Sequence, residues 1–372
     1  MTESSNIPPN TAFTQQRLPA GRPLLTPWNV IGTFLIVGLT FIPLGVVLLL
    51  ASNSVQEITI DYTDCVDSSL QKCSDNINPF DSSNQPFPTC TCTVDFTPAS
   101  EMEAPIYLYY KLTNFYQNHF AYQRSVDYAQ LSGSTSGVAG NSLDSDNLNQ
   151  FCTPQKNNIT SGGVVTDQLG TVAPCGAVAN TLFNDTFSST GFVIDSSDIS
   201  WNTDHQTKYN NPQAGNSENC NSGNSADLEE CFQGDTEYPQ AKPIFWKYPV
   251  SEVYKITKGE SSINPGNDEN GYKNQEFENW MRVGAFSTVY KLFGVIKNEN
   301  LEAGTEYSFD IGYNYPVNDL DVTKSIVVST MSWAGGKNPF LGIAYIVVGS
   351  LSLITALFLF YTYKKQSNKF EM

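Results

Sequence analysis

The segment SWAGGKNPFLGIAYIVVGSLSLITALFLFYTYKK, residues 332–365, decides the fold of this chain. Residues 340–363 contain no charged side chain, and a helix of that length spans ~36 Å, more than the ~30 Å hydrocarbon core of a bilayer. Lys364 and Lys365 follow at once, and lysines beside a span mark its cytosolic end. The segment therefore predicts a transmembrane helix followed by a cytosolic C-terminal tail, residues 364–372.

A second uncharged run, residues 30–51, predicts another transmembrane helix of ~33 Å. It is longer than the roughly 7–15 apolar residues of a signal peptide and lacks a small-residue cleavage pattern, so we expect an uncleaved anchor. Arg17 and Arg22 precede the run and acidic residues follow it, which predicts a cytosolic N-terminal tail, residues 1–29. The predicted fold class is a two-span membrane protein, a helical hairpin through the bilayer, with residues 52–339 as an exoplasmic or lumenal ectodomain.

This ectodomain is predicted to be an α+β domain built on antiparallel β-sheet. It is strongly acidic, with 35 acidic and 15 basic side chains, a net charge of −20. Such a surface disfavours nucleic acid and other polyanions as partners. Runs rich in Tyr, Thr, Val and Ile predict strands at Glu57–Tyr62, Thr91–Phe96, Pro105–Tyr116, Glu306–Val317 and Ser325–Trp333. The first and last of these runs adjoin the two spans, so we expect them to pair.

Helices in the ectodomain are predicted from apolar periodicity. Residues Phe277–Lys297 carry aromatic and apolar side chains at helical spacing and predict the longest helix of the ectodomain. Residues Pro174–Asp185 predict a short buried helix. Residues 195–240 are dominated by Asn, Ser, Asp and Gly, and they predict the least structured stretch.

All eight cysteines lie in the ectodomain, which predicts disulfides rather than a metal site; they are Cys65, Cys73, Cys90, Cys92, Cys152, Cys175, Cys220 and Cys231. Two positions apart on a strand, Cys90 and Cys92 face the same side, so each must bond elsewhere. A nested pairing with Cys65 and Cys73 is compatible with this, as are bridges from Cys152 to Cys175 and from Cys220 to Cys231. The sequons at Asn158 and Asn184 predict glycosylation.

Neither predicted span carries an ionisable residue, which argues against a proton relay or an ion pore built from this chain alone. Pro43 predicts a kink in the first span. Small residues in the second span indicate close packing against another helix; they are Gly342, Gly349, Ser350 and Ser352. The N-terminal tail places Phe13 and Leu18 beside Arg17, which fits either a tail lying on the membrane or a strip that docks on a partner.

No arrangement of residues typical of catalysis occurs in the chain. It lacks a phosphate-binding glycine loop, an H-E-x-x-H metal pair, a nucleophile elbow and a D-K-T-G phosphorylation loop. His119 and His205 have no Ser or Cys nucleophile near them in sequence, so we interpret them as structural. We therefore expect no enzymatic activity, no cofactor and no bound metal.

Six motifs resemble those of one family in order along the chain, namely TAFTQQRLPA (11–20), NFYQNHFAYQRS (114–125), QLSG (130–133), PCGAVANTLFNDTF (174–187), NYPV (314–317) and SWAGGKNPFLGIAYIVVG (332–349). They resemble the cell-division-cycle-fifty (ligand-effect-modulator) family, whose members are accessory β-subunits of type IV P-type ATPases, the phospholipid flippases. Residues from about 195 to 275 depart from the matched patterns.

The resemblance implies a non-catalytic subunit that pairs one-to-one with a large ATPase in the membrane. It implies a role in the stability, exit from the endoplasmic reticulum and transport activity of that partner, which moves phospholipid to the cytosolic leaflet. The implied bridges are Cys65–Cys92, Cys73–Cys90 and Cys152–Cys175, and the implied glycosylated residue is Asn184. The implied location is the endoplasmic reticulum, Golgi, endosome or plasma membrane.

We also expect a tight turn at Gly335–Pro339 that fixes the ectodomain over the exoplasmic loops of the partner. The candidate contact residues are Phe13, Arg17, Leu18, Pro43, Gly335, Gly336, Asn338 and Pro339.

Two alternatives come from other classes of protein. A two-span homo-oligomeric ion channel would need polar pore-lining residues, whereas these spans are free of charge. A cell-surface receptor would be expected to carry signalling motifs in its tails. Currents from the purified chain would favour the channel, and binding of a soluble ligand would favour the receptor.

Overall fold

The computed structural model describes residues 9–19, 26–76, 90–133, 152, 159–160, 164–165, 172–212, 228–229, 231–232, 242–243, 245–259, 270–317 and 321–370. The chain divides into two compact units, one made of Met1–Ser54 with Ser332–Met372 and the other of Val55–Met331.

Two long helices form the first unit. Helix α1 runs Pro27–Asn53, and its N-cap Thr26 accepts a hydrogen bond from the backbone N–H of Asn29. The last helix of the chain, α9, runs Pro339–Phe370. Both are long and apolar enough to cross a membrane. Each extends beyond the uncharged run that predicted it, and α1 continues as a helix through Pro43.

The larger sheet of the ectodomain has four antiparallel strands in the order β1-β9-β3-β7. The strands are β1 (Glu57–Asp61), β3 (Ile106–Thr113), β7 (Val289–Ile296) and β9 (Thr323–Ser329). Strand β9 is buried from Lys324 onward, because it lies between β1 and β3 in the sheet. The expected pairing of the first strand with the last is therefore present.

A second sheet has three antiparallel strands in the order β2-β8-β6. They are β2 (Cys90–Phe96), β6 (Thr186–Ser188) and β8 (Tyr307–Tyr313). Strands β4 (Ile159–Thr160) and β5 (Val164–Val165) form a separate two-stranded pair.

The α-helices with defined bounds in the described part of the ectodomain are short. They are α2 (Cys73–Asn76), α3 (Phe120–Arg124), α4 (Tyr128–Leu131), α5 (Ala177–Asn180), α6 (Asn202–Thr207), α7 (Val253–Lys258) and α8 (Gln275–Met281). Helix α5 lies within the segment predicted as a short buried helix, and its last three residues are buried.

The prediction of one long helix over Phe277–Lys297 is wrong. The chain forms α8, leaves it at Arg282, and then forms strand β7. A buried lysine from this strand, Lys291, donates to the carbonyl oxygens of Asn279 and Arg282 at the end of α8. A cation that satisfies the last carbonyls of a helix stabilises its end. Phe286, which lies within the range predicted as a helix, is 76% exposed.

The core between the sheets and helices combines aliphatic side chains with several aromatic contacts. The indole of Trp280 donates to the carbonyl oxygen of Val178 at 2.7 Å, which fastens α8 to α5. The rings of Tyr110 and Phe183 stack with centroids 3.9 Å apart. Aromatic pairs of this kind add to the free energy gained by burying their area, so a few large side chains define the core.

The stretch 195–240, predicted as the least structured, is ordered over its first described part, residues 195–212. Helix α6 lies there, and Ile199 and Tyr209 are buried. His205 on α6 contacts Glu278 on α8 with 2.9 Å between Nδ1 and Oε1. Polar composition concealed a segment that is held by a few buried side chains, by the contact of His205 with Glu278, and by ion pairs of Asp204 with Lys208 and Arg282.

Three disulfides are formed among the described residues, Cys65–Cys92, Cys73–Cys90 and Cys152–Cys175. These are the expected pairs, and two of them fasten the segment after β1 to strand β2. Cys231 is also disulfide-bonded. Cys220 and the sequon residue Asn158 lie outside the described residues.

Candidate functional site

Glycines line the seam along which α1 and α9 pack. A Cβ atom added to Gly45 would lie 2.8 Å from the carbonyl oxygen of Gly342, and one added to Gly349 would lie 2.8 Å from Ile42. Such distances leave no room for a side chain, so the two backbones approach closely. The glycines that indicated helix packing therefore lie in the contact between α1 and α9 of this chain.

The serines of the same stretch do not join the two helices. Ser350 donates to the carbonyl oxygen of Ile346 at 2.7 Å, and Ser352 donates to that of Val348 at 2.8 Å. Bonds to the preceding turn of the same helix satisfy both hydroxyls. The polar groups of α9 are thus compatible with an apolar surrounding.

The outer faces of the hairpin present apolar side chains without charge. Large exposed side chains include Leu35, Ile36, Leu39, Leu44, Val47, Leu50, Val347, Leu351, Ile354, Leu357 and Phe358. Pro43 lies on this exposed side of α1. At one end, the ring of Trp28 packs against Tyr363, with centroids 5.5 Å apart. These faces can contact lipid or the helices of a partner.

A tight turn precedes α9, but it begins earlier than expected. Ser332 and Gly335 exchange two backbone hydrogen bonds of 3.0 and 2.9 Å, and Gly335 has φ +105°, a conformation that favours glycine. A Cβ atom added to Gly335 or to Gly336 would meet no other atom within 4 Å. The turn therefore needs the backbone freedom of Gly335, whereas Gly336 lies exposed beyond it.

Asn338 and Pro339 start α9 rather than continue the turn. The side chain of Asn338 accepts from the backbone N–H of Phe340 at 3.1 Å, which is the bond of an N-cap, and Pro339 takes the first helical position. The backbone N–H of Asn338 donates to the hydroxyl of Ser52 on α1 at 3.0 Å. The segment is thus bound to the end of the first helix.

The described part of the N-terminal tail, residues 9–19, is a compact turn. The backbone N–H of Arg17 donates to the carbonyl oxygen of Ala12 at 2.7 Å, and its guanidinium donates to the side chain of Asn10. Phe13 and Leu18 are 76% and 59% exposed. Two large apolar side chains held outward by a polar turn form a surface that a partner or a membrane can cover.

A buried ion pair fastens the ectodomain, and no sequence signal identified it. The Nζ of Lys324 on β9 lies 2.7 Å from Oδ2 of Asp185, and both side chains are fully buried. The hydroxyl of Tyr62 also donates to Asp185, at 3.0 Å. Burial lowers the pKa of Lys324 to about 8, an effect that the charge of Asp185 partly offsets.

The same carboxylate holds the loop that carries the NYPV motif. The backbone N–H groups of Asn314 and Tyr315 each donate to Oδ1 of Asp185 at 2.6 Å. The carbonyl oxygen of Tyr315 accepts from Lys324 at 2.8 Å. Both oxygens of Asp185 and two of the three N–H groups of Lys324 are thereby bonded within the protein, so this cluster serves the fold rather than chemistry on a substrate.

The candidate contact residues fall in three surfaces of the first unit. The tail surface contains Phe13, Arg17 and Leu18, the outer face of α1 contains Pro43, and the segment Gly335–Pro339, from the end of the turn to the start of α9, contains the remaining four. Trp333, inside the Ser332–Gly335 turn, and Phe340, in the first turn of α9, are both 74% exposed and were missed. Aromatic residues at the end of a predicted span were the signal that could have identified them.

Comparison with known proteins gives a consistent result over nearly the whole chain. A profile of the LEM3 (ligand-effect modulator 3) family / CDC50 family matches residues 48–369. Cell cycle control protein 50A of Bos taurus is 38% identical over 386 aligned positions, which cover 99% of this chain and 92% of the relative. Cell cycle control protein 50B of Homo sapiens is 38% identical, with 96% and 93% covered.

A plant relative extends the similarity. ALA-interacting subunit 3 of Arabidopsis thaliana is 33% identical over 362 positions, which cover 95% of this chain and 86% of the relative. The profile and these identities agree with the motifs found from the tail to the second span. The chain therefore belongs to the LEM3/CDC50 family.

Proposed function

We propose that this chain is the non-catalytic accessory (β) subunit of a type IV P-type ATPase that moves phospholipid from the exoplasmic to the cytosolic leaflet. The observation that carries the proposal is membership of the LEM3/CDC50 family over nearly the full length. The uncharged hairpin supports it, because such helices can pack against those of a larger membrane protein. The subunit stabilises its partner, permits its exit from the endoplasmic reticulum and supports its transport cycle.

The three surfaces described above are the proposed contacts with the ATPase. Phe13, Arg17 and Leu18 dock on its cytosolic face, and Pro43 lies against its membrane helices. The segment between the turn and α9, with Gly335, Gly336, Asn338 and Pro339, meets its exoplasmic loops. Both tails lie in the cytosol and the ectodomain is lumenal or extracellular, in a membrane of the endoplasmic reticulum, Golgi, endosome or cell surface. In this compartment Asn158 and Asn184 carry glycans.

The test is affinity purification of the tagged full chain from native membranes in mild detergent. Mass spectrometry should find a stoichiometric partner of P-type ATPase size, and the eluate should hydrolyse ATP in response to phospholipid. A homo-oligomer without ATP hydrolysis would refute the proposal and direct attention to ion conduction.

Single-surface variants sharpen the same experiment. The pair Phe13→Ala and Leu18→Ala removes the exposed apolar groups of the tail without touching the bond between Arg17 and Asn10. It should reduce recovery of the partner while leaving the ectodomain folded. Full recovery with both substitutions in place would exclude the tail as a contact.

A further inference from the structure

The sulfur atoms of two disulfides lie side by side in the ectodomain. The Sγ atoms of Cys65, Cys73 and Cys92 lie within 4.8 Å of one another. Cys73 is nevertheless bonded to Cys90, and Cys65 is bonded to Cys92. To reach bonding distance of Cys92, the sulfur of Cys73 has to move by at most about 3 Å. The sulfurs of the two bridges are thus close enough to exchange partners.

A short hairpin laid against strand β2 brings these sulfurs together. An antiparallel bridge closes residues 65–73, and the backbone N–H of Cys73 donates to the carbonyl oxygen of Cys65 at 2.9 Å. These two cysteines are therefore neighbours across the hairpin. Cys90 and Cys92 share the buried face of β2, because they are two positions apart on the strand. The geometry of the hairpin and of the strand thus places both bridges in one group.

The two bridges differ in their exposure to solvent. Cys73 is fully buried, and Cys90 and Cys92 are 7% and 5% exposed. Cys65 is half-buried, and it is the one of the four that solvent reaches to a larger extent. We call Cys65–Cys92 the outer bridge and Cys73–Cys90 the inner bridge. Since a thiolate must contact the sulfur that it attacks, a thiol in solution meets the outer bridge first.

We propose that the two bridges form one redox site, in which a dithiol reductant that reacts at the outer bridge opens the inner bridge. One thiolate of the reductant attacks Sγ of Cys65, forms a mixed disulfide and expels Cys92 as a thiolate. The Cys92 thiolate then attacks Sγ of Cys73, forms the bridge Cys73–Cys92 and expels Cys90 as a thiolate. The second thiol of the reductant attacks the mixed disulfide, so that the reductant leaves as a disulfide and Cys65 is released.

These steps balance as a two-electron reduction. The dithiol loses two electrons and two protons, and the protons end on the sulfurs of Cys65 and Cys90. One bridge, Cys73–Cys92, replaces two, so the hairpin stays linked to β2 through Cys73 alone. The linked position moves by two residues, about 7 Å along the strand. The site belongs to the ectodomain and does not depend on the ATPase proposed above.

The variant Cys65→Ser tests the exchange without a reductant, because it leaves Cys92 as the thiol that the first step would produce. The full chain in mild detergent is held at about pH 8, near the pKa of a free thiol, and exchange is then stopped with acid. The free thiol is labelled with N-ethylmaleimide after unfolding and located by mass spectrometry. Because exchange is reversible, at least about a tenth of the label should be on Cys90 and the rest on Cys92. Label on Cys92 alone would overturn the proposal.

The matched control is Cys152→Ser, which frees Cys175. Cys175 is buried like Cys92, but among the described residues no third cysteine belongs to its group. Its label should stay on Cys175. Circular dichroism and the remaining bridges establish that both variants are folded. Label that spreads to other cysteines in this control as well would show general scrambling and would refute a distinct site.

A second measurement uses the native chain and decides the matter even where Cys65→Ser does not fold. The chain is treated with an equimolar amount of dithiothreitol, stopped with acid, labelled and mapped in the same way. Molecules that have lost one bridge should carry label on Cys65 and Cys90 and should contain the bridge Cys73–Cys92. Label on Cys65 and Cys92 only, with the inner bridge intact, would show that the outer bridge is reduced without exchange and would overturn the proposal.

Discussion

In the helical hairpin, α1 and α9 meet along glycines, and the hydroxyls of Ser350 and Ser352 bond within their own helix, whereas the ectodomain is held by disulfides and a fully buried ion pair. Helices in a bilayer gain little from hydrophobic contact with each other, so close packing has to hold them. A water-exposed domain gains from burial and can enclose a charge pair that has all its hydrogen bonds. The two regions should therefore fail in response to different substitutions.

The largest effect is expected from Lys324→Met in the ectodomain. It leaves the carboxylate of Asp185 buried without its cation, and breaking a buried pair in this way costs about 3–5 kcal/mol. Denaturation of the purified chain in detergent, followed by near-ultraviolet circular dichroism, measures the loss. Lys297→Met, in the exposed pair with Asp195, is the control and should change little. A similar result for both variants would mean that the buried pair does not fasten the ectodomain.

Filling the glycine seam is the corresponding change in the hairpin. Gly45→Leu drives a side chain into the backbone of α9 at Gly342 and Ile346, and overpacking of this kind costs up to about 3 kcal/mol. Distances between spin labels on α1 and α9 should increase, while the ectodomain keeps its unfolding midpoint. Gly32→Leu is the control, because an added Cβ there meets no atom within 4 Å. If the spin-label distances in Gly45→Leu are the same as in the native chain, α1 and α9 do not pack closely at Gly45.

Acidity should affect the ectodomain through Glu278. Burial raises the pKa of this carboxyl from 4.5 to about 7, so the folded state binds the proton more tightly than the unfolded state. Its contribution to stability is full below pH 4.5 and is lost as the pH rises through 7, which amounts to about 2 kcal/mol between pH 5.5 and pH 7.5.

Glu278→Gln removes that titration. Unfolding free energies measured at both pH values should therefore depend less steeply on pH in the variant than in the native chain. Identical pH dependence of the unfolding free energy in the two proteins would show that Glu278 does not cause it.

The smallest effect is expected at the turn before α9. Gly335→Val forces a β-branched residue into a left-handed conformation and should cost about 1–2 kcal/mol locally, whereas Gly336→Val should not strain the backbone. If the turn orients the contact with the partner, Gly335→Val lowers ATPase recovery in co-purification more than Gly336→Val does. Equal recovery of the ATPase with both variants would show that the turn does not contribute to partner binding.

Much of the fold could be predicted because it follows from local pattern. Residues 340–363 and 30–51 lie within α9 and α1, and each of the five strand-like runs overlaps a strand. The failure at Phe277–Lys297 has a tertiary cause, since Val289–Ile296 pairs with strand β3, which periodicity does not reveal. The glycines indicated close packing, but the identity of the neighbouring helix required the structure.

The sequence by itself determined the two uncharged spans, the oxidised cysteines and the family, because charge, length and motif are properties of consecutive residues. Only the tertiary structure decided which helix fills the glycine seam, that Lys324 meets Asp185, and that the sulfur atoms of two disulfides lie side by side. These contacts join residues that are distant along the chain, 139 positions apart for the ion pair, and each depends on the packing of the surrounding elements. Local propensity specifies the helices and strands. Burial, which depends on the whole fold, specifies which residues contact each other.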